Sequence, residues 1–223
     1  MNGAHFEDLA RRALRGPACF SRFLDPAQEA LAQRAAREAG VECAFFGGYE
    51  GAERRLCAFY ADEPPEDWPL DCLAIAWNGR YAQVAHRDLL GALMGLGIQR
   101  ELTGDILVEG EGALAFCARE ATAYLLANLE SAGRAKIKVA RHEGPVAPPK
   151  PQGQCLRATV SSLRLDAVLA AGLNLGRGEA RSLVERALVK VNHRLEERPD
   201  AVLREGDLVS ARGAGRLRLD AVQ

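Results

Sequence analysis

Residues 162–219 read SLRLDAVLAAGLNLGRGEARSLVERALVKVNHRLEERPDAVLREGDLVSARGAGRLRL, and this stretch decides how the chain is parsed. Leu165, Val168 and Leu169 recur at helical spacing, which predicts a helix from Ser162 to about Ala171. Ser162 is the expected N-cap and Gly172 the expected stop. A second apolar stripe, Ala180, Leu183, Val184, Ala187 and Leu188, predicts a helix over about 178–188. Arg177 and Arg181 are four apart, so they stack off that stripe. Arg177 also falls at the helix N-terminus, where unpaired backbone N–H groups already favour an anion, and so forms a predicted phosphate seat. Alternation over 189–193 predicts a strand entering a turn. Arg198-Pro199-Asp200 predicts a second turn, and Glu205-Gly206-Asp207 a tight turn into the strand Leu208-Val209-Ser210. The stretch closes on a basic run, 212–218.

These residues resemble an S4 RNA-binding domain, the small αL-type module first seen in a ribosomal protein. The matching pieces are RLDAVL at 164–169, GRGEARSLV at 176–184, VKVNHR at 189–194, the Pro199 turn and GDLVS at 206–210. Two positions depart from the usual pattern: Gly176-Arg177 replaces a Ser-Arg helix opening, and Asn192-His193 replaces an Asn-Gly turn. The resemblance implies binding to structured RNA. On this reading Arg177, Arg181, Lys190 and Arg194 contact phosphates and a groove. Arg164, Arg212 and Arg216 extend the patch, and Asn192 orients the turn or contacts a ribose. Such contacts position a protein on a shape and carry little sequence information.

The net charge of −1 over 223 residues hides an asymmetry. From Leu156 onward there are twelve Lys and Arg against nine Asp and Glu, an excess of +3, and the remainder has seventeen against twenty-one, or −4. The basic excess is local, as expected of a binding module carried by a neutral body. The six cysteines show no CxxC or other metal spacing, which argues against a zinc site or a disulfide framework. No apolar run approaches the length of a membrane span, and the N-terminus lacks the apolar core of a secretory signal. The chain reads as cytoplasmic, with no small-molecule cofactor and no membrane partner.

Taken in order, the chain reads as an α+β protein. Residues 1–67 form a helical and strand N-terminal segment. His5 to Leu14 is amphipathic, Asp25-Pro26 starts a helix that runs to Gly40, and 41–46 and 54–60 read as strands. Between these strands GGYEGAERR (47–55) leaves two readings open: a backbone-accessible loop offered to RNA or a partner, or a glycine-rich loop with Tyr49 packed down. An acidic, proline-broken loop, 61–69, follows. Residues 68–142 read β-α-β-β-α-β: strand 72–77, helix 86–96, strands 105–109 and 112–116, helix 118–129 and strand 134–140. That order is the ferredoxin-like motif also used by RNA-recognition domains. The stacking aromatics of a base-reading sheet are largely missing, with Phe116 and Trp77 the only candidates. Residues 143–155 (EGPVAPPKPQGQC) read as a proline-rich linker, and 156–223 as the S4 module.

Motifs of catalysis fail on inspection. His86-Arg87-Asp88-Leu89 opens like a kinase catalytic loop, but no phosphate-covering glycine loop or strand lysine precedes it. Gly95-Leu96-Gly97 lies at a helix end rather than between a strand and a helix, so it is no dinucleotide fingerprint. S4 modules also occur fused to pseudouridine synthases, tRNA synthetases and RNA methyltransferases, but the catalytic signatures of those bodies are absent.

A wider resemblance covers nearly the whole chain. FFGGYEGAERR (45–55), HRDLLGALMGLGIQRELTGDI (86–106) and a C-terminal module ending RGAGRLRL (212–219) are similar to the YlmH-type S4 proteins of bacteria. That resemblance implies a non-enzymatic, ribosome-associated RNA-binding protein whose partners are rRNA, tRNA and the large ribosomal subunit, in rescue or quality control of stalled translation. The alternatives are an RNA-modifying enzyme with an unrecognised centre and a cell-division scaffold.

Overall fold

The computed structural model describes residues 3–80, 83–147 and 155–222. The chain is α+β with antiparallel sheets and divides into two compact units, Met1–Lys150 and Pro151–Gln223. Most of the proline-rich stretch, 148–154, lies outside the described residues.

The first unit opens with helix α1 (Gly3–Ala13), strand β1 (Cys19–Phe20) and helix α2 (Pro26–Ala39). α2 starts where a capping box starts it. The Asp25 carboxylate accepts from the Gln28 amide, the Gln28 side chain accepts from the Asp25 amide, and Pro26 supplies a first position that needs no donor. Gly40 ends it at φ 71°, a left-handed conformation that costs glycine nothing. Strands β2 (Glu42–Phe46) and β3 (Leu56–Tyr60) join β1 in the order β1-β3-β2. One face of this sheet, with Cys57 and Phe59, packs on Phe6, Leu9 and Ala10 of α1 and on Ala32 and Ala36 of α2.

The chain continues through β4 (Leu70–Trp77), α3 (His86–Gly95), β5 (Thr103–Glu109), β6 (Gly112–Ala118), α4 (Arg119–Asn128), β7 (Ser131–Ala132) and β8 (Ala135–Arg141). The strands form one antiparallel sheet, β5-β6-β4-β8-β7. Strand alternation sorts the side chains onto its two faces. Leu73, Ile75, Ala113, Ala115 and Ile137 meet Leu89 and Leu93 of α3 and Ala121 and Leu125 of α4. Phe116 lies in a separate core with Phe23, Tyr49, Ala52 and Leu56, contributed by the first sixty residues. Each fully buried phenylalanine or leucine there contributes roughly 2–3 kcal/mol.

The second unit holds α5 (Leu165–Gly172), α6 (Arg177–Glu185), β9 (Val189–Val191), β10 (Arg194–Leu195), β11 (Leu208–Ala211) and β12 (Gly215–Arg218), with sheet order β10-β9-β11-β12. Leu165, Leu169, Val184, Val189, Leu203 and Val209 make its core. α5 begins three residues later than a Ser162 cap predicts. Residues 163–165 instead pair with 201–203 through Leu203 N–H to Leu163 O (2.8 Å), Leu165 N–H to Ala201 O (2.8 Å) and the Arg164–Val202 bridge. α6 stops at Glu185 rather than Leu188 because Ala187 turns left-handed, at φ 57°. The second half of the basic closing run, Gly215–Arg218, forms strand β12.

Candidate nucleic-acid interface

The predicted cations of the second unit fall into two groups on different layers. The first surrounds Asp166 on the helical layer. Arg164, the N-cap residue of α5, donates from Nε (3.1 Å) and Nη2 (3.0 Å) to the two oxygens of the buried Asp166 carboxylate. This bidentate bond, with the nearby charges of Arg164 and Arg177, holds the Asp166 carboxyl below the ordinary carboxylate range. Arg177 is the first residue of α6, and Gly176 before it supplies no side-chain cap, so the leading amides of that helix have no side-chain acceptor of their own. Arg181 lies one turn on and bonds Glu185 at 2.7 Å. Both Arg177 and Arg181 are exposed.

The second group lies on the sheet. Pairing sets Lys190 opposite Ser210 and Ser210 opposite Arg216, a row across β9, β11 and β12. Residues directly opposite each other share a face. Arg212 joins Lys190 and Arg216 around an open concavity that includes Ala187, Leu188 and Gly215. Val189, Val209 and Ala211 occupy the alternate, core-facing positions of the same strands.

Arg194 and Asn192 stand apart from both groups. Arg194 pairs with Val191 and not with Lys190, so alternation puts it on the other side of β10 from that row. Asn192 and His193 form the two-residue turn between β9 and β10, at φ 49° and 66°, the left-handed pair this hairpin demands. The Asn192 carboxamide donates to Asp207 (2.7 Å) and accepts from the Leu208 amide (3.0 Å). The side chain thereby ties the β9–β10 turn to the start of β11.

In the first unit the loop 47–55 takes the packed-down alternative. Tyr49 is buried, its ring 5.2 Å from that of Phe116, and its hydroxyl donates to Asp105 at 2.8 Å. Asp105 also accepts the amides of Glu53 (2.7 Å) and Arg54 (3.2 Å). Gly48, at φ 100°, leaves no room for a Cβ, which would stand 2.3 Å from the Phe116 ring. Phe116 is therefore core and offers no stacking surface. Arg54 spends its guanidinium on the carbonyls of Phe23, Arg100 and Thr103, and Arg100 on those of Thr103 and Gly104. Both are clamps rather than ligands. Arg134, Lys136 and Lys138 are not among the cations expected to bind, although their alternation with Ala135, Ile137 and Val139 is a signal that finds them. Among the described residues no His, Cys, Asp or Glu cluster could hold a metal ion, and no helix is long and apolar enough to cross a membrane.

Residues 64–144 match the family model described as "Putative RNA-binding domain in YlmH". The ribosome-associated protein quality control protein P2 of Bacillus subtilis is 34% identical over 205 residues, which covers 90% of this chain and 80% of that protein. The chain belongs to the YlmH family of RNA-binding proteins. Among solved structures the cell division protein ylmH from Streptococcus pneumoniae shares the fold, with a TM-score of 0.53 and 23% identity, over 63% of this chain and 87% of that one. The YlmH match runs from just before β4 to just past β8 and ends before the second unit, where the predicted cations lie. The matched residues carry eleven Asp and Glu against eight Lys and Arg, a net charge of −3.

Proposed function

We propose that this chain is a non-enzymatic RNA-binding protein that recognises structured rRNA or tRNA through an S4-type module at 156–223, associates with the large ribosomal subunit in the cytoplasm, and acts in rescue or quality control of stalled translation. The observation that carries the reading is the arginine group of the helical layer. Arg177 and Arg181 stand exposed one turn apart at an uncapped helix start, and Arg164 is fixed beside them by Asp166. Backbone amides and guanidinium groups at a helix N-terminus together bind phosphate oxygens. Membership in the YlmH family supports RNA as the partner, and the name of the Bacillus subtilis relative supports the ribosomal setting. The strand order of the larger sheet supports a ferredoxin-like reading of 68–142, and the two helices followed by a small sheet support the S4 reading of 156–223, with 143–155 as the linker.

The test is co-sedimentation with ribosomes from lysate at low and high salt, with and without residues 156–223. Salt-sensitive migration with the large subunit, lost on deletion, is the expected result. A chain that stays at the top of the gradient under every condition refutes the ribosomal assignment.

A further inference from the structure

The segment matched to an RNA-binding domain is acidic overall, so any RNA surface on it must be local. Its cations sort into two kinds. Arg100 is a half-buried clamp, Arg87 lies 3.8 Å from Asp88, Arg119 pairs with Asp67 at 2.7 Å, and Arg141 pairs with Asp71 at 3.4 Å. By contrast, Arg80, Arg134, Lys136 and Lys138 have no ion-pair partner among the described residues, and all four are exposed. These four converge at one end of the sheet. β7 and β8 form a hairpin whose turn, Gly133-Arg134, lies beside Asp88 of α3. Arg80 follows Trp77, which pairs with Ile137 of β8.

We propose that the β7–β8 hairpin, through Arg134, Lys136 and Lys138 with Arg80 beside it, is a second RNA-contacting surface that grips the phosphate backbone independently of the arginines of the second unit. The inference rests on the RNA-binding reading above and deepens it. Lys136 and Lys138 are two apart on one strand, so they project from one face about 6.6 Å apart, a spacing that suits successive phosphates of a strand. Lys138 lies opposite Ala76, and Ala76 lies opposite Gly112, so the neighbouring floor is nearly free of side chains and admits a bulky backbone. The residues 130–138 carry three cations against Glu130, a local excess of +2. Of the other carboxylates at this end, Asp88 accepts the Ala85 amide at 2.9 Å, and Glu111 lies against Gly79 beside Arg80, on the far side of β4 from the hairpin. Glu109 lies three strands from Lys138 in the same row, about 14 Å away and beyond the screening length of about 8 Å at physiological salt. A protein partner would need an apolar or aromatic anchor, and a membrane surface an inserting apolar face. The row beside Lys138 offers Ala76 and Gly112 in their place.

The experiment uses the full chain and deproteinised ribosomal RNA, with affinity read by fluorescence anisotropy over a range of salt. Replacing Arg134, Lys136 and Lys138 together by Gln is expected to flatten the log–log salt dependence by about 2 to 2.7. The charge-keeping variant R134K/K136R/K138R is expected to retain the wild-type slope and so separates charge from strand stability. A wild-type slope in the Gln variant, alongside a reduced slope in R177A/R181A, overturns this inference and leaves the RNA-binding reading standing. No RNA binding by the wild-type chain overturns both. Hairpin-dependent binding to phosphatidylglycerol vesicles with an unchanged RNA slope overturns the choice of RNA as the partner.

Discussion

Replacing Arg177 and Arg181 together by Ala tests the helical layer of the second unit. Arg177 has no ion pair among the described residues, and Arg181 has one exposed partner, Glu185, at 2.7 Å. If each guanidinium neutralises one phosphate, the double variant loses about 1.6 from the slope of log affinity against log salt. At 0.1 M salt this is about 40-fold in affinity, or ~2.2 kcal/mol. Releasing Arg181 from Glu185 offsets roughly 0.5 kcal/mol at most, because exposed pairs of this kind are weak. An expected loss of 20- to 40-fold remains. Stability hardly moves: alanine is at least as good a helix former as arginine, and one exposed pair in a unit of about 70 residues shifts Tm by less than ~4 °C. Anisotropy titrations from low to high salt, with a thermal melt of the same samples, read both quantities. An unchanged slope with an unchanged melt removes these arginines from the interface.

Other predictions concern what holds the framework. Asp105→Ala strips three hydrogen bonds, including that of the buried Tyr49 hydroxyl, and is expected to cost about 3 kcal/mol. A urea midpoint within error of wild type would show that Asp105 is not the hub of that junction. His193→Gly relieves a left-handed non-glycine residue and is expected to raise stability by about 0.5–1 kcal/mol, seen as a higher melting temperature. A lower one would mean that the imidazole makes a contact worth more than the turn geometry. Arg164 depresses the Asp166 carboxyl, so its stabilising effect is present at neutral pH and fades as pH falls through the lowered folded value, from about pH 4 downward. Asp166→Asn has no such titration, and its acid limb should be shallower than wild type in melts taken between pH 6 and pH 2.5. Parallel limbs would contradict this.

Periodicity made most of the elements legible. α2 could be bounded from Asp25-Pro26 and Gly40 because its caps are local chemistry. The start of α5 and the end of α6 differ from their expected positions by about three residues, since they depend on a distant partner strand at 201–203 and on the left-handed Ala187. β1 and β7 went unseen because two-residue strands carry no alternation. Arg54 and Arg100 resist any reading from sequence. A half-buried guanidinium held by carbonyls looks like a solvated one until the carbonyls that receive it, at 23, 100, 103 and 104, are brought together. The pairing of Lys190 with Arg216 across β11 is equally invisible, since it depends on register rather than spacing.

The fit of Gly48 against the Phe116 ring also bears on how such chains are dissected. The homologous stretch 64–144 is a unit of descent but not of folding. Cutting it out leaves Phe116, Leu70 and Leu107 without the Phe23, Tyr49 and Leu56 surface that covers them. An isolated fragment of that length would expose a sticky sheet face, and its affinity for RNA or anything else would report that wound rather than the native protein.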